Sequence, residues 1–251
     1  LLRIEDIDRG RCHPEFETAI LHDLAWLGLA WARPVRRQSN HLADYARALD
    51  RLKGMELIYP CFCMRRDIRG EIARAGAAPH GADGFVYPSI CRGLSQSERA
   101  DRIGAGEAHA LRIDMKRAVE SAGALTWSDR ARGEVAAEPQ AHGDVILARK
   151  DTPTSYHLAV TVDDHLQKVN LVTRGEDLFA ATHIHRLLQA VLGFAPPDYH
   201  HHRLLTGEDG RRLAKRDDAA TIADFNLRIA AETEDTSLDR DLVTRGVRAL
   251  L

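Results

Sequence analysis

Cys61 and Cys63 stand one residue apart in "CFC", and after a spacer of 23 residues the chain reads "YPSIC", with Tyr87 four residues before Cys91. Three of the four cysteines therefore fall in one segment, and Cys12 stands apart as an ordinary thiol. If the three share one partner, the fold must bring both ends of that spacer together, a stronger demand than any local propensity. The opening "LLRIEDIDRG" lacks the basic, apolar and small-residue regions of a leader, and no run of about 18 apolar residues is available for a membrane span. The expectation is a soluble, cytoplasmic protein with no membrane partner. In a reducing compartment, few and closely spaced cysteines read as metal ligands rather than disulfides.

Zn²⁺ takes four ligands in a tetrahedron, and C-x-C is a tighter pair than the usual C-x₂-C. The fourth ligand is open on spacing alone. His80 would complete a Cys₃His set, and Tyr87 would supply a less usual phenolate. Three unliganded cysteines in a loop are the plainer reading. Nothing nearby supplies the open position and general base of a catalytic zinc, so a metal here is expected to be structural.

Around this segment the chain alternates helical and strand-like stretches. Pro14 opens a helix carrying Phe16, Ile20, Leu24 and Leu27 and ending at Gly28. Ser39 or Asn40 is expected to cap a second, carrying Leu42, Tyr45, Ala46, Leu49 and Leu52, with "ELIYPC" behind it as a strand. From Arg65 to Gly106 the periodicity fades, as in an inserted excursion. "DVILAR", "SYHLAVTV" and "KVNLVTRG" read as strands covered on both faces, and Thr182 to Leu192 as a capped helix closed by Gly193. The expectation is an α/β fold with a mostly parallel sheet.

Two charged stretches complete the set. "LLRIEDIDRGR" packs Arg3, Glu5, Asp6, Asp8, Arg9 and Arg11 behind two leucines, as a buried strand does on emerging at a polar site; a solvated chain end is the alternative. "TGEDGRRLAKRDDA" is a glycine-bounded loop in which Lys215 offers a flexible point charge suited to a moving phosphate; a basic surface turn is the alternative. The net charge of −2 gives no bulk attraction to nucleic acid, so RNA contacts would come from local patches.

Together, "LLRIEDIDRGR", "YPCFC", "YPSICRGLS", "SYHLAVTVDDHLQKVNLVTRGEDLFAAT" and "GRRLAKR" resemble, in content and order, the glutamyl-tRNA synthetase group of class I aminoacyl-tRNA synthetases, from residue 1 to about residue 226. Within that group the cysteine pattern is similar to that of the shortened paralogues that glutamylate the queuosine base of tRNA(Asp). The resemblance implies a Rossmann-type catalytic core over 1–60 and 107–200, a zinc-bearing insertion over 61–106, and the signature loop with a mainly helical segment over 201–251. It implies Zn²⁺ on Cys61, Cys63, Tyr87 and Cys91. It further implies that Glu5 holds the α-ammonium of L-glutamate, Tyr156 and Arg174 its side-chain carboxylate, and Lys215 the phosphates of ATP, delivered with Mg²⁺. The resemblance also implies that Lys215 is the catalytic residue, steadying the charge on departing pyrophosphate. A ligase acting as a monomer on queuosine-bearing tRNA(Asp) is expected.

Departures from the family pattern carry expectations of their own. The family's first strand and HIGH-like motif precede the "LLRIED" strand, so the chain as given is expected to hold half of the ATP site and to be a poor enzyme. Ala214 stands where the signature loop usually has serine. Two other readings are a fragment of a true glutamyl-tRNA synthetase, against which Val160 counts because those enzymes commonly carry asparagine there, and a non-catalytic zinc-stabilised RNA-binding remnant.

Overall fold

The computed structural model describes residues 1–8, 10, 12–64, 67, 80, 81 and 84–204, with the backbone alone at 80, 81, 84 and 85. Lys215, the signature loop and the expected helical segment after it lie outside the described residues. The chain divides into two compact units: Leu1–Gln38 with Arg174–Asp177 and the chain from His202, and Ser39–Thr173 with Leu178–His201. Among the described residues no helix is long and apolar enough to cross a membrane.

In the smaller unit, β1 (Arg3–Ile4) runs parallel to β2 (Arg36–Arg37), in register Arg3↔Arg36 and Ile4↔Arg37. Between them lies α1 (Pro14–Trp26). Proline tolerates its first turn because the N–H it lacks would have no helical acceptor there, and Glu15 and Glu17 complement the positive end of the helix dipole. Gly28 ends the turn at φ +72°, a conformation that costs glycine little. Glu17 also ties the helix to β2 by pairing with Arg37, whose Nε donates at 3.1 Å. The periodic apolar residues of α1 stay partly solvated, with Phe16 48% and Ile20 42% exposed.

The larger unit holds the main core. Helix α2 (Leu42–Gly54) buries Tyr45, Ala48, Leu49 and Leu52 along one stripe. Ala46, expected inward, is exposed, and Ser39 and Asn40 form a 3₁₀ turn that leaves His41 as the cap residue. Behind α2, β3 (Ile58–Cys61) pairs antiparallel with β6 (Ala110–Ile113), and β6 pairs antiparallel with β9 (Ile146–Ala148). A second sheet joins the hairpin β7 (Thr126–Asp129) and β8 (Gly133–Ala136) to β11 (Asp198–His202), parallel to β7, and then β10 (Leu171–Gly175). The expected mostly parallel sheet is thus corrected: the pairings around the cysteine segment are antiparallel.

"SYHLAVTV" is also corrected. It forms α5 (Tyr156–Leu166), capped by Ser155, whose hydroxyl accepts from the Leu158 N–H. This helix buries six consecutive residues, Leu158 to Asp163, so it lacks the one-sided pattern that marks a surface helix. It packs on α6 (Ala181–Val191), where Ile184, Leu187 and Leu188 are fully buried, each such side chain contributing about 1.5–3 kcal/mol. Its buried Asp163 accepts from the Tyr45 hydroxyl at 2.9 Å, tying α5 to α2.

Candidate metal centre and substrate-binding residues

Strand β3 delivers the first pair of cysteines. Its register places Cys61 opposite Ala110 on the central strand, and Cys63 follows just past the strand end. The second pair comes from a tight turn. Ser89 takes a left-handed conformation at φ +57° and opens a 3₁₀ turn over Ile90–Gly93, which swings Cys91 back toward Tyr87. The Cys91 N–H then donates to the Tyr87 phenolic oxygen at 3.0 Å.

The two pairs meet. The Cys61 thiol donates to Tyr87 Oη at 3.3 Å, Cys63 Sγ lies 3.6 Å from the same oxygen, and Cys63 Sγ lies 3.4 Å from Cys91 Sγ. All three sulfurs fall within 4.8 Å of one another. A tetrahedral zinc with Zn–S near 2.3 Å and Zn–O near 2.0 Å needs S···S of roughly 3.8 Å and S···O of roughly 3.5 Å. The four donor atoms are close to that spacing and too far apart for a disulfide, so the donor set fits the ion. Of His80, the other ligand weighed, only the backbone is described, in β4 (His80–Gly81), which pairs antiparallel with β5 (Gly84–Phe85).

The surroundings are largely apolar. Cys61, Tyr87 and Cys91 are buried with Tyr59 and Phe62, and Leu94, just ahead of α3 (Gln96–Gly104), packs against them. Burial pushes the Cys63 thiol up to about 12. Burial, and next the hydrogen bond with Cys61, also raise the Tyr87 phenol. At Cys91 burial pushes upward too, but hydrogen bonds from the Phe62 and Cys63 backbone and from the Cys63 and Tyr87 side chains outweigh it, and the thiol lies below the usual cysteine value. Binding a cation here must therefore expel protons, since the ligands are thiolate and phenolate.

Two residues of this centre carry no signal in the sequence. Arg112, on β6, lays its guanidinium 3.8 Å from the centre of the Tyr87 ring and donates from Nη1 to the Asp144 carbonyl at 2.6 Å. The Asp144 carboxylate is buried and accepts from the Tyr59 hydroxyl at 2.6 Å, the Ser89 hydroxyl at 2.7 Å, the Met115 N–H at 3.0 Å and Arg92 Nη1 at 3.3 Å.

The substrate residues expected from the sequence fall in both units. In the smaller, Glu5 follows β1 and accepts from Arg3 Nη2 at 3.0 Å, and Arg174 sits half-buried on β10. In the larger, Tyr156 is the first residue of α5, its ring 5.6 Å from that of His185. His185 in turn lies with its Nε2 3.1 Å from His157 Nδ1. Lys215 lies outside the described residues.

A family model described as the catalytic domain of class I tRNA synthetases (E and Q) matches residues 1–237. The glutamyl-Q tRNA(Asp) synthetase of Rhodobacter capsulatus is 44% identical over 239 residues, 93% of this chain and 85% of its own length. The glutamate–tRNA ligase of a Hydrogenobaculum species is 33% identical over 88% of this chain but only 46% of its own length. Among solved structures, a glutamate–tRNA synthetase from Elizabethkingia anophelis superposes with a TM-score of 0.71 at 26% identity, over 86% of this chain and 46% of that one. By the match of the family model over most of its length, the chain belongs to the class I tRNA synthetases of the E and Q group, as their catalytic domain.

Proposed function

We propose that the protein whose catalytic domain this chain carries activates L-glutamate with ATP and Mg²⁺ and transfers the glutamyl group to the queuosine base of tRNA(Asp), in the cytoplasm. A glutamate carboxylate oxygen attacks the α-phosphorus of ATP and pyrophosphate leaves. A hydroxyl of the queuosine cyclopentenediol then attacks the activated carbonyl and AMP leaves. Neither step needs a covalent bond to the protein; positioning and charge stabilisation suffice. Glu5 takes the α-ammonium, Tyr156 and Arg174 the side-chain carboxylate, and Lys215 the phosphates. A guanidinium suits the carboxylate because its fork can donate to both oxygens. The Arg3 side chain now paired with Glu5 is the group the ammonium would have to displace.

Cys61, Cys63, Tyr87 and Cys91 hold the zinc ion that the donor spacing fits. Four protein ligands leave no open position, so the ion closes a loop and holds the turn at Ser89 in shape.

One observation carries the choice of acceptor. The relative named for glutamyl-Q tRNA(Asp) is matched over 85% of its length, whereas the glutamate–tRNA ligase is matched over less than half. The second reading, charging of tRNA(Glu) at its 3′ end, is favoured by the likeness to a solved glutamate–tRNA synthetase. Labelled glutamate offered with queuosine-bearing tRNA(Asp), queuosine-free tRNA(Asp) and tRNA(Glu) separates the two. Label on the first alone is expected; label on tRNA(Glu) would establish the second reading instead.

A further inference from the structure

We propose that Asp144 is the positioning residue of the metal centre, a buried carboxylate that fixes both ligand pairs and so sets how tightly the cluster retains its ion. This rests on the reading of Cys61, Cys63, Tyr87 and Cys91 as zinc ligands.

Asp144 touches none of the four donor atoms, yet its partners bracket them. Through the Tyr59 hydroxyl it holds β3 two residues before Cys61. The Ser89 hydroxyl connects it to the left-handed residue midway between Tyr87 and Cys91, and Arg92 Nη1 to the residue after Cys91. Its own backbone carbonyl anchors Arg112, which stacks on the Tyr87 ring. Thus each ligand pair has a fixed point on one side chain. The Met115 N–H, at the start of α4 (Met115–Ala122), fills a further acceptor site and ties the carboxylate to a packed helix.

The preceding residue shows how closely the two segments are pressed together. Gly143 has φ +62°, and a Cβ there would collide with Cγ1 of Val86, the neighbour of Tyr87. Only a residue without a side chain lets Asp144 come this near to the Tyr87 turn. A carboxylate suits the position because it accepts from all four groups and places a negative charge beside Arg92, whereas an amide carries no charge and would have to turn the Tyr59 and Ser89 hydroxyls into acceptors.

Groups that orient metal ligands from outside the coordination sphere typically change metal affinity by about ten- to a hundredfold when altered. The full chain loaded with zinc is titrated with a chromophoric chelator, and Asp144→Asn is expected to release the ion at about ten- to a hundredfold lower chelator strength than the parent. Asp129→Asn serves as the control. Asp129 is equally buried and accepts from His201 and from the Ala131 and Arg132 N–H groups, remote in sequence from the ligand pairs. It should lower the melting temperature while leaving zinc retention within about twofold of the parent. Should Asp144→Asn fail to fold, Tyr59→Phe and Ser89→Ala each remove one donor and should each weaken retention severalfold. Retention unchanged in Asp144→Asn, or in both milder variants, overturns the inference. So does an equal loss in Asp129→Asn, since general destabilisation would then explain it. A parent that never takes up zinc overturns the metal reading itself, a different failure from a parent that binds zinc beside an Asp144→Asn that binds it equally well.

Discussion

The guanidinium of Arg112 lies over the Tyr87 ring, 3.8 Å from its centre, so a buried positive charge sits against the side chain that carries the one oxygen donor of the candidate metal centre. On the proposed reading a divalent ion held by three thiolates and a phenolate would leave an excess of negative charge, which Arg112 would offset.

Arg112→Met keeps most of the side-chain volume and removes that charge. Loss of the cation–π contact and of the hydrogen bond to the Asp144 carbonyl is expected to cost about 1–3 kcal/mol of stability. The loss should be larger in the zinc-loaded protein than in the stripped one. Melting curves with and without zinc check this; equal losses in both forms would separate Arg112 from the metal.

Metal analysis of the purified chain is expected to find about one zinc per molecule, lost in Cys61→Ser, Cys63→Ser and Cys91→Ser and weakened in Tyr87→Phe. Apparent affinity should rise with pH through the neutral range. The Cys63 thiol, pushed by burial to about 12, keeps its proton in the free protein and must give it up to the ion, so protons compete with zinc. Affinity indifferent to pH between 6 and 8 would contradict thiolate ligation.

His183 on α6 predicts the onset of acid sensitivity. Its Nδ1 accepts from the Glu138 N–H at 3.0 Å, which requires a neutral ring, and burial followed by the neighbouring His142 holds its pKa below the ordinary value. A histidine depressed in the folded state contributes stability that is complete above the unfolded pKa of about 6.5 and is lost as pH falls below it toward the folded value. Urea midpoints should therefore decline from about pH 6.5 downward, and His183→Gln, which retains an acceptor, should flatten that slope.

In the glutamate-activating protein, Arg174→Ala is expected to weaken use of glutamate by about 2–5 kcal/mol, because the substrate carboxylate would be left buried without its partner. Glutamate-dependent pyrophosphate exchange measures this. Unaltered exchange would make Arg174 a structural ion-pair partner.

Spacing brought the three cysteines into view but left the fourth donor open between His80 and Tyr87; only the family resemblance pointed to Tyr87, and the fold brings that residue together with Cys61, Cys63 and Cys91. What spacing could not supply was the support behind them. Asp144 is a lone acid in "HGDVILAR", and its role exists only because β9, β3 and the Ser89 turn converge from positions 55 and 85 residues apart in the chain. The strand assigned to "SYHLAVTV" failed for a related reason. A helix buried on every side has no polar face, and its β-branched valines and threonine read as sheet, although Ser155 just before it was a cap signal. The antiparallel order of β3, β6 and β9 likewise depends on pairings between distant segments that local periodicity does not encode.

Fastening Cys61 and Cys63 to Tyr87 and Cys91 has a consequence for how such a chain can diverge. The entropy of closing a loop grows only with the logarithm of its length, so doubling the spacer would cost about 0.6 kcal/mol. A zinc held by those four side chains would therefore fasten the two ends of the spacer at a cost that barely depends on the spacer's length. Changes in the length of that spacer are expected to leave Cys61 and Cys63 still able to meet Tyr87 and Cys91.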